Sequence, residues 1–172
     1  DYFNPGQPRP ALINHIEDRD LWRWKLPDSR DVNAWLQSIP LTLDAVGDTV
    51  AAGRDAALHA GRAVSVAQRR YIETAKTGAR FAMVGSFGPV PVVNAGVYCN
   101  SEVVGELAVG HPFAAAWVEC SNGTVLYSLR SPPDGVDVGA IAKTFGGGGH
   151  RNAAGFTAPR AVHVVPSEGD MP

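Results

Sequence analysis

The chain has 172 residues, of which 45% are hydrophobic and 19% are charged, and its formal net charge is −2. This composition is typical of a soluble globular protein with one ordinary domain, or a small domain with an extra segment, and it excludes a disordered chain. Because the net charge is slightly negative, the protein as a whole does not present a positively charged surface to nucleic acids. Any site for a polyanion therefore has to be local. No apolar run approaches the roughly 18 residues of a membrane span. We therefore expect a cytoplasmic protein without membrane contact.

Residues 1–78 are predicted to be helical. ALINHIEDRDLW has apolar residues near helical spacing, and LPDSRDVNAWLQSI follows with Asp28 or Ser29 as a candidate cap. An Ala-rich helical pattern then continues over residues 41–76, and Gly78 suits the end of a helix. The first residue is Asp1 and not Met. We expect a fragment of a longer protein, in which this region is the end of another domain and a connector.

Residues 79–166 are predicted to form a compact α/β unit, followed by a tail at 167–172. Its expected elements are two strands at 80–85 and 90–94 around a Gly-Pro turn, a short helix capped by Asn100 or Ser101, a hairpin in FAAAWVECSNGTVLYSLRS, a helix in DVGAIAKTF capped by Asp137, and an edge strand in RAVHVVP. Ser101 is equally compatible with a position in a binding cleft. The predicted fold class is α/β, with a helical N-terminal linker followed by a small mixed sheet on which helices pack.

The stretch FGGGGHRNAAGF contains four consecutive glycines, which lose more backbone entropy on ordering than other residues. One glycine is enough to end the preceding helix. A P-loop is excluded because no Lys-Ser/Thr follows, and a Rossmann fingerprint is excluded because the glycines follow a helix. Two interpretations stay open: a plain turn, and an anion cradle in which backbone N–H groups, His150 and Arg151 converge on a phosphate. If NAAG begins a helical turn, its N-terminus also points at that phosphate.

GGGGHRNAAGF, with DVGAIAKTF before it and SLRS on the preceding strand, resembles the C-terminal DHH-associated domain of the DHH phosphoesterase superfamily. Its members include RecJ-type exonucleases and bacterial oligoribonuclease-like phosphoesterases. HIEDRDLW and the helical connector are similar to the end of the catalytic DHH domain. The resemblance implies a two-domain hydrolase, with a pair of Mn²⁺ ions in the N-terminal domain and substrate binding in the C-terminal domain. The implied substrate-binding residues are Arg130, Ser131, Gly146, Gly147, Gly148, Gly149, His150, Arg151 and Asn152, and His150 is also the catalytic candidate.

Most of the metal ligands implied by the resemblance are missing, because no Asp-His-His triplet occurs in the sequence. Asp18 in HIEDRDLW resembles the family's last ligand aspartate, and Asp20 is the competing choice. From the residues alone, this acidic cluster is also typical of a solvated helix end that pairs with Arg19 and Arg23. One or two carboxylates cannot hold two metal ions. We therefore expect Asp18 to bind metal only together with the missing domain, and the chain alone to bind no Mn²⁺ stably and to be inactive.

The predicted function is the substrate-binding part of a bacterial, manganese-dependent phosphoesterase that acts on short oligonucleotides or phosphorylated nucleotides. The alternative is a non-catalytic nucleic-acid-binding module related to the C-terminal domain of alanyl-tRNA synthetases. It ranks lower because the net charge is negative and the helical region lacks sustained heptads. The sequence leaves open the substrate (nano-RNA, single-stranded DNA, a cyclic dinucleotide or a phosphoadenosine nucleotide) and whether the protein forms a homodimer.

Overall fold

The computed structural model describes residues 6, 8–40 and 42–164. The chain divides into two compact units between Arg70 and Tyr71, whereas the sequence predicts the division after residue 78. Residues 165–166 of the predicted second domain and the predicted tail at 167–172 lie outside the described residues. No helix in the described part of the chain combines the length and apolar character needed to cross a membrane.

The first unit is helical, as the sequence predicts. It contains α1 (Ala11–Asp20), α2 (Ser29–Ser38), α3 (Leu43–Ala52) and most of α4 (Arg54–Lys76), which continues past the division. A small buried core forms around Leu12, Val32 and Ala57. Asp28 lies at the N-cap position of α2, as predicted, but its side chain makes no capping hydrogen bond. Its carboxylate instead pairs with Arg54 at 2.7 Å.

The second unit contains a seven-stranded mixed sheet. Its strands are β1 (Arg80–Val84), β2 (Phe87–Asn94), β3 (Ala114–Glu119), β4 (Val125–Arg130), β5 (Gly148–His150), β6 (Ala153–Ala158) and β7 (His163–Val164), and its helices are α5 (Asn100–Leu107) and α6 (Val138–Thr144). The strand order is β5-β6-β4-β3-β2-β1-β7. Only β2 and β3 pair in parallel among the described strands. This confirms the predicted α/β fold with a mixed sheet.

The hairpin β3–β4 forms as predicted, with Ala114 opposite Arg130. The predicted Gly-Pro turn is wrong, because Gly88 and Pro89 lie inside β2 and the chain turns at residues 85–86. The β2–β3 pairing begins only at Val92, so Pro89 needs no N–H for that ladder. The β1–β2 register also shifts beside this point, which lets the sheet accommodate the Gly-Pro pair.

The caps of the two helices in the second unit differ from each other. Asp137 caps α6 as predicted, since its Oδ1 accepts a hydrogen bond of 3.0 Å from the Ala140 N–H. The predicted cap of α5 by Asn100 or Ser101 is wrong, because both residues lie inside the helix. The N-cap is Cys99, whose φ of 53° is left-handed and which makes no side-chain capping bond. The side chains of Asn100 and Ser101 are therefore available for other contacts.

Helices cover both faces of the sheet. On one face, here called the α6 face, buried residues of α6 pack with Tyr127 and Leu129 of β4. On the opposite α5 face, Val103 and Val104 of α5 pack on alanines of β3. Because side chains alternate along a strand, Ser128 and Arg130 of β4 point to the α5 face. The predicted buried residues of α6, namely Val138, Ile141 and Ala142, are buried, while Phe145 is half-buried.

Candidate functional site

The glycine run leads into a β-hairpin. Strands β5 and β6 pair antiparallel and are joined by Arg151 and Asn152 alone, with His150 opposite Ala153. The expectation that NAAG begins a helical turn is wrong, because these residues start β6 and pair with both β5 and β4. No helix N-terminus from this segment therefore contributes to an anion site.

The four glycines meet different structural demands. Gly146 has a left-handed φ of 78° and its N–H bonds the Lys143 carbonyl, which ends α6. A Cβ atom on Gly147 would overlap the backbone of β6, and Gly149 combines a φ of 145° with a similarly close approach. Gly148 is different, since its φ lies outside the left-handed region and a Cβ atom there would have no heavy atom within 4 Å. Three of the glycines are thus required by the fold, and Gly148 is not.

The sheet brings His150 and Arg130 together. His150 pairs with Ala153, and Ala153 pairs with Arg130 on the other side of β6. Residues directly opposite each other in a ladder point to the same face, so His150 lies on the α5 face with Arg130. Two strand spacings separate them, which is about 10 Å between their backbones.

The surface between these two side chains is made of small residues. Gly148 is opposite Gly155, and Gly155 is opposite Ser128, so all three positions also lie on the α5 face. Helix α5 packs mainly against β3 and β4, and the His150 side chain is exposed. This strip of the α5 face, here called the α5-face groove, consists of Ser128, Arg130, Gly148, His150, Ala153 and Gly155.

The guanidinium of Arg130 is oriented by the protein. Its Nη2 donates a hydrogen bond of 2.7 Å to the Ser101 hydroxyl, and its Nη1 donates one of 2.8 Å to the Leu129 carbonyl. Within the described residues, the His150 ring has no hydrogen-bond partner. The groove thus combines an oriented guanidinium, an imidazole and glycine backbone that no side chain covers. Such a combination is suited to binding an anion.

The other predicted substrate-binding residues are engaged in contacts within the protein. Ser131 is buried, and its hydroxyl donates to the Val136 carbonyl at 2.8 Å and accepts from Asn152 Nδ2 at 3.0 Å. Arg151 donates to the Gly135 carbonyl at 3.0 Å. These three side chains brace the loop after β4 against the β5–β6 turn. Their effect on a ligand in the α5-face groove is therefore indirect in this structure.

Asp18, in the first unit, holds the loop that follows α1. Its two carboxylate oxygens accept hydrogen bonds from the backbone N–H groups of Lys25 (2.9 Å) and Leu26 (3.2 Å). Burial disfavours the carboxylate, but these bonds and one from Ser29 outweigh it, so the pKa of Asp18 lies below its usual value. The competing residue Asp20 is exposed and lies 3.9 Å from Arg19.

The described residues do not fit a two-metal site. Among residues 6, 8–40 and 42–164, no group of three or more His, Cys, Asp or Glu side chains is placed to hold a metal ion. Both oxygens of Asp18 are engaged, and Arg9, Arg23 and Lys25 line the same cleft. Glu17 also lines this cleft and pairs with Arg9 and Arg23, so the carboxylates of the cleft are already engaged.

Ser128, Ala153 and Gly155 belong to the groove, but the sequence did not predict them as site residues. The alternation in TVLYSLR places Ser128 two residues before Arg130 and hence on its face, which is a signal that the sequence contained. For Gly155 no such signal was present, because its place depends on the pairing of β6 with β4. The sequence left two roles open for Ser101, a helix cap and a position in a binding cleft. In the structure its hydroxyl accepts a hydrogen bond from Arg130.

Comparisons with known proteins agree with this architecture. Residues 101–166 match the family model of the DHHA1 domain. Uncharacterized protein R106 of Acanthamoeba polyphaga mimivirus is 28% identical over 179 residues, and the match includes 98% of this chain and 42% of R106. The chain thus spans less than half the length of this curated relative. PggH, a pGpG-specific phosphodiesterase from Vibrio cholerae, matches with a TM-score of 0.50 and 12% identity over 94% of this chain and 66% of PggH. At that identity, the similarity to PggH concerns the fold alone.

Proposed function

We propose, from the match of residues 101–166 to the DHHA1 domain model, that the chain belongs to the DHH superfamily and binds the substrate of a DHH-type nucleotide phosphoesterase. The substrate is a short oligonucleotide or a phosphorylated nucleotide, and its phosphate binds in the α5-face groove. The observation that carries this proposal is the pairing that places Arg130 and His150 on one face, in register through Ala153.

Each part of the groove has a role in this proposal. Arg130 supplies the positive charge of the groove, and a planar guanidinium is suited to phosphate oxygens. The exposed His150 ring donates a hydrogen bond to a further phosphate oxygen. At Gly148 no side chain separates the backbone from the ligand, so the phosphate approaches the sheet closely.

We assign substrate binding to these residues, and bond cleavage to the complete enzyme. His150 is the catalytic candidate, because an imidazole beside a bound phosphate ester can transfer a proton to or from one of its oxygens. Manganese dependence is part of the proposal, and because no group of three or more ligand side chains occurs among the described residues, most of the ligands have to come from elsewhere.

The test is a calorimetric titration of the 172-residue chain with pGpG and with GMP. The variant Arg130→Ala is expected to weaken binding of both about 10- to 100-fold, because hydrogen bonds to charged groups contribute about 1.5–3 kcal/mol each. The matched control is Arg160→Ala, which removes the same charge from an exposed arginine beyond the far end of β6. It is expected to leave affinity within about twofold.

Two results contradict the proposal: no binding of either nucleotide, or equal effects of Arg130→Ala and Arg160→Ala. A parallel titration with tRNA tests the alternative function, a non-catalytic nucleic-acid-binding module. Salt-dependent binding of tRNA in preference to pGpG would favour that alternative.

A further inference from the structure

The segment 97–101 links the end of β2 to α5 and lies beside the α5-face groove. Ser101 contacts the groove directly through Arg130, at 2.7 Å. Asn100 contacts it through a 3.0 Å hydrogen bond from its Nδ2 to the Ser128 hydroxyl. Since consecutive Cα atoms are about 3.8 Å apart, Tyr98 cannot be farther than about 11 Å from Ser101, measured between Cα atoms.

Tyr98 is an aromatic residue that the fold holds in place but does not bury. Its side chain is 48% exposed, and the preceding Val97 is 71% exposed. One part of the Tyr98 ring packs edge-on against Tyr71, with ring centroids 5.6 Å apart. The left-handed Cys99, itself 4% exposed, fixes the backbone between Tyr98 and α5. The ring therefore has a restricted position and an accessible surface.

Asn100 provides an independent sign that this end of the groove receives a ligand. Its side chain is nearly buried, at 7% exposure, and its Oδ1 atom has no hydrogen-bond partner among the residues that the structure describes. A buried acceptor without a donor is costly and rare in folded proteins. If the Asn100 amide turns towards the groove, a bound nucleotide would offer such a donor, from a ribose hydroxyl or from a base N–H group.

We propose that Tyr98 stacks on the nucleobase of a nucleotide whose phosphate binds at Arg130 and His150. This inference rests on the proposed function. It adds a contact to the base, by which the protein would distinguish a nucleotide from other phosphate esters. An aromatic ring suits this role because every base has a π-face, and stacking requires no particular base sequence. Arg130 and His150 then supply affinity for phosphate, and Tyr98 supplies the preference for a base.

The experiment compares GMP with ribose 5-phosphate, which has the same phosphate and sugar but no base. The 172-residue chain is expected to bind GMP more tightly than ribose 5-phosphate. Tyr98→Leu should weaken GMP binding about 5- to 100-fold, which corresponds to the loss of one stacked base, and leave ribose 5-phosphate binding unchanged. Tyr98→Phe keeps the ring and should bind GMP like the parent chain.

Phe81→Leu is the matched control, since Phe81 is a 44% exposed aromatic residue on β1, in the other half of the sheet. It should not change either affinity, and melting curves establish that each variant is folded. If the parent chain binds neither compound, the proposed function and this inference both fail. If it binds both equally, or if Tyr98→Leu weakens both alike, the inference alone fails.

Discussion

Arg130 donates a hydrogen bond of 2.7 Å to the hydroxyl of Ser101, 29 residues earlier in the chain. This bond joins the end of β4 to the first turn of α5. Arg130 is also bonded to the neighbouring Leu129 carbonyl, so its guanidinium is oriented before a ligand arrives. A side chain that is already ordered loses less conformational entropy on binding than a mobile one. Ser101 is therefore a positioning residue for the proposed phosphate site.

Replacement of Ser101 by alanine tests this role. The loss of one anchor from Arg130 should weaken GMP binding about 3- to 10-fold, which corresponds to about 1 kcal/mol for a single hydrogen bond. Ser101→Thr retains the hydroxyl and should restore most of the affinity. Titration calorimetry measures both variants. Equal affinities of Ser101→Ala and the parent chain would mean that Arg130 is positioned without this bond.

Two neighbouring glycines are expected to respond to alanine in opposite ways. Gly148→Ala should change the free energy of unfolding by less than about 0.5 kcal/mol, because the added methyl group meets no atom. That methyl group lies on the floor of the α5-face groove, so nucleotide affinity should fall. Gly147→Ala should cost about 1–3 kcal/mol or more of stability, because the methyl group overlaps the β6 backbone.

Chemical denaturation and nucleotide titration of the two glycine variants together check this prediction. Gly147→Ala serves as the structural comparison for Gly148→Ala. Unchanged nucleotide affinity in a fully folded Gly148→Ala variant would place the ligand elsewhere than on the groove floor.

The stability of the chain is expected to decrease on mild acidification because of two histidines, the buried His15 and the half-buried His163. Burial lowers the pKa of His163, whose Nδ1 lies 2.6 Å from the buried Tyr127 hydroxyl. Burial, followed by the positive charge of Arg54, lowers the pKa of His15. The unfolded chain therefore binds protons more readily than the folded chain below the ordinary histidine pKa of about 6.5.

This contribution to stability should be complete above about pH 6.5 and should be lost as pH falls through the window between that value and the lowered folded pKa values. Melting temperatures between about pH 8 and pH 5 measure the effect. His163→Gln removes one of the two groups, so its melting temperature should depend less steeply on pH. An identical slope in the variant would show that His163 does not contribute.

Asp18→Asn distinguishes a structural carboxylate from a metal ligand. If Asp18 mainly holds the loop after α1, the variant should melt at a lower temperature than the parent chain, with or without Mn²⁺. Because the pKa of Asp18 is lowered, its contribution should be present above the unfolded pKa of about 3.9 and be lost as pH falls through the folded pKa. Stabilisation of the parent chain by Mn²⁺ that disappears in the variant would instead identify a metal ligand.

The elements with strong local signals were predicted from the sequence. The β3–β4 hairpin has an apolar run and an alternating run joined through Ser121, Asn122 and Gly123, and α6 has Asp137 as a capping residue. In both cases, nearby residues determine the structure. The same local reasoning placed a turn at Gly88-Pro89, where pairing with other strands decides the outcome.

The candidate site was only partly predictable, because its geometry is not local. The motif identified Arg130 and His150, but their common face depends on β6 lying between β5 and β4. Ala153 and Gly155 have weak β-propensity, so their strand conformation comes from pairing on both sides and not from their own preference. The bond from Arg130 to Ser101 likewise joins residues that only the folded chain brings together.

The β5–β6 hairpin makes the length of the turn after His150 as important as its composition. Arg151 and Asn152 set which residue of β6 lies opposite His150, so a one-residue change of register there would turn the His150 ring from the groove towards the α6 face. Such a change would leave every ligand-contacting group in the sequence and still separate His150 from Arg130. The two-residue turn thus fixes the side of the sheet on which His150 lies.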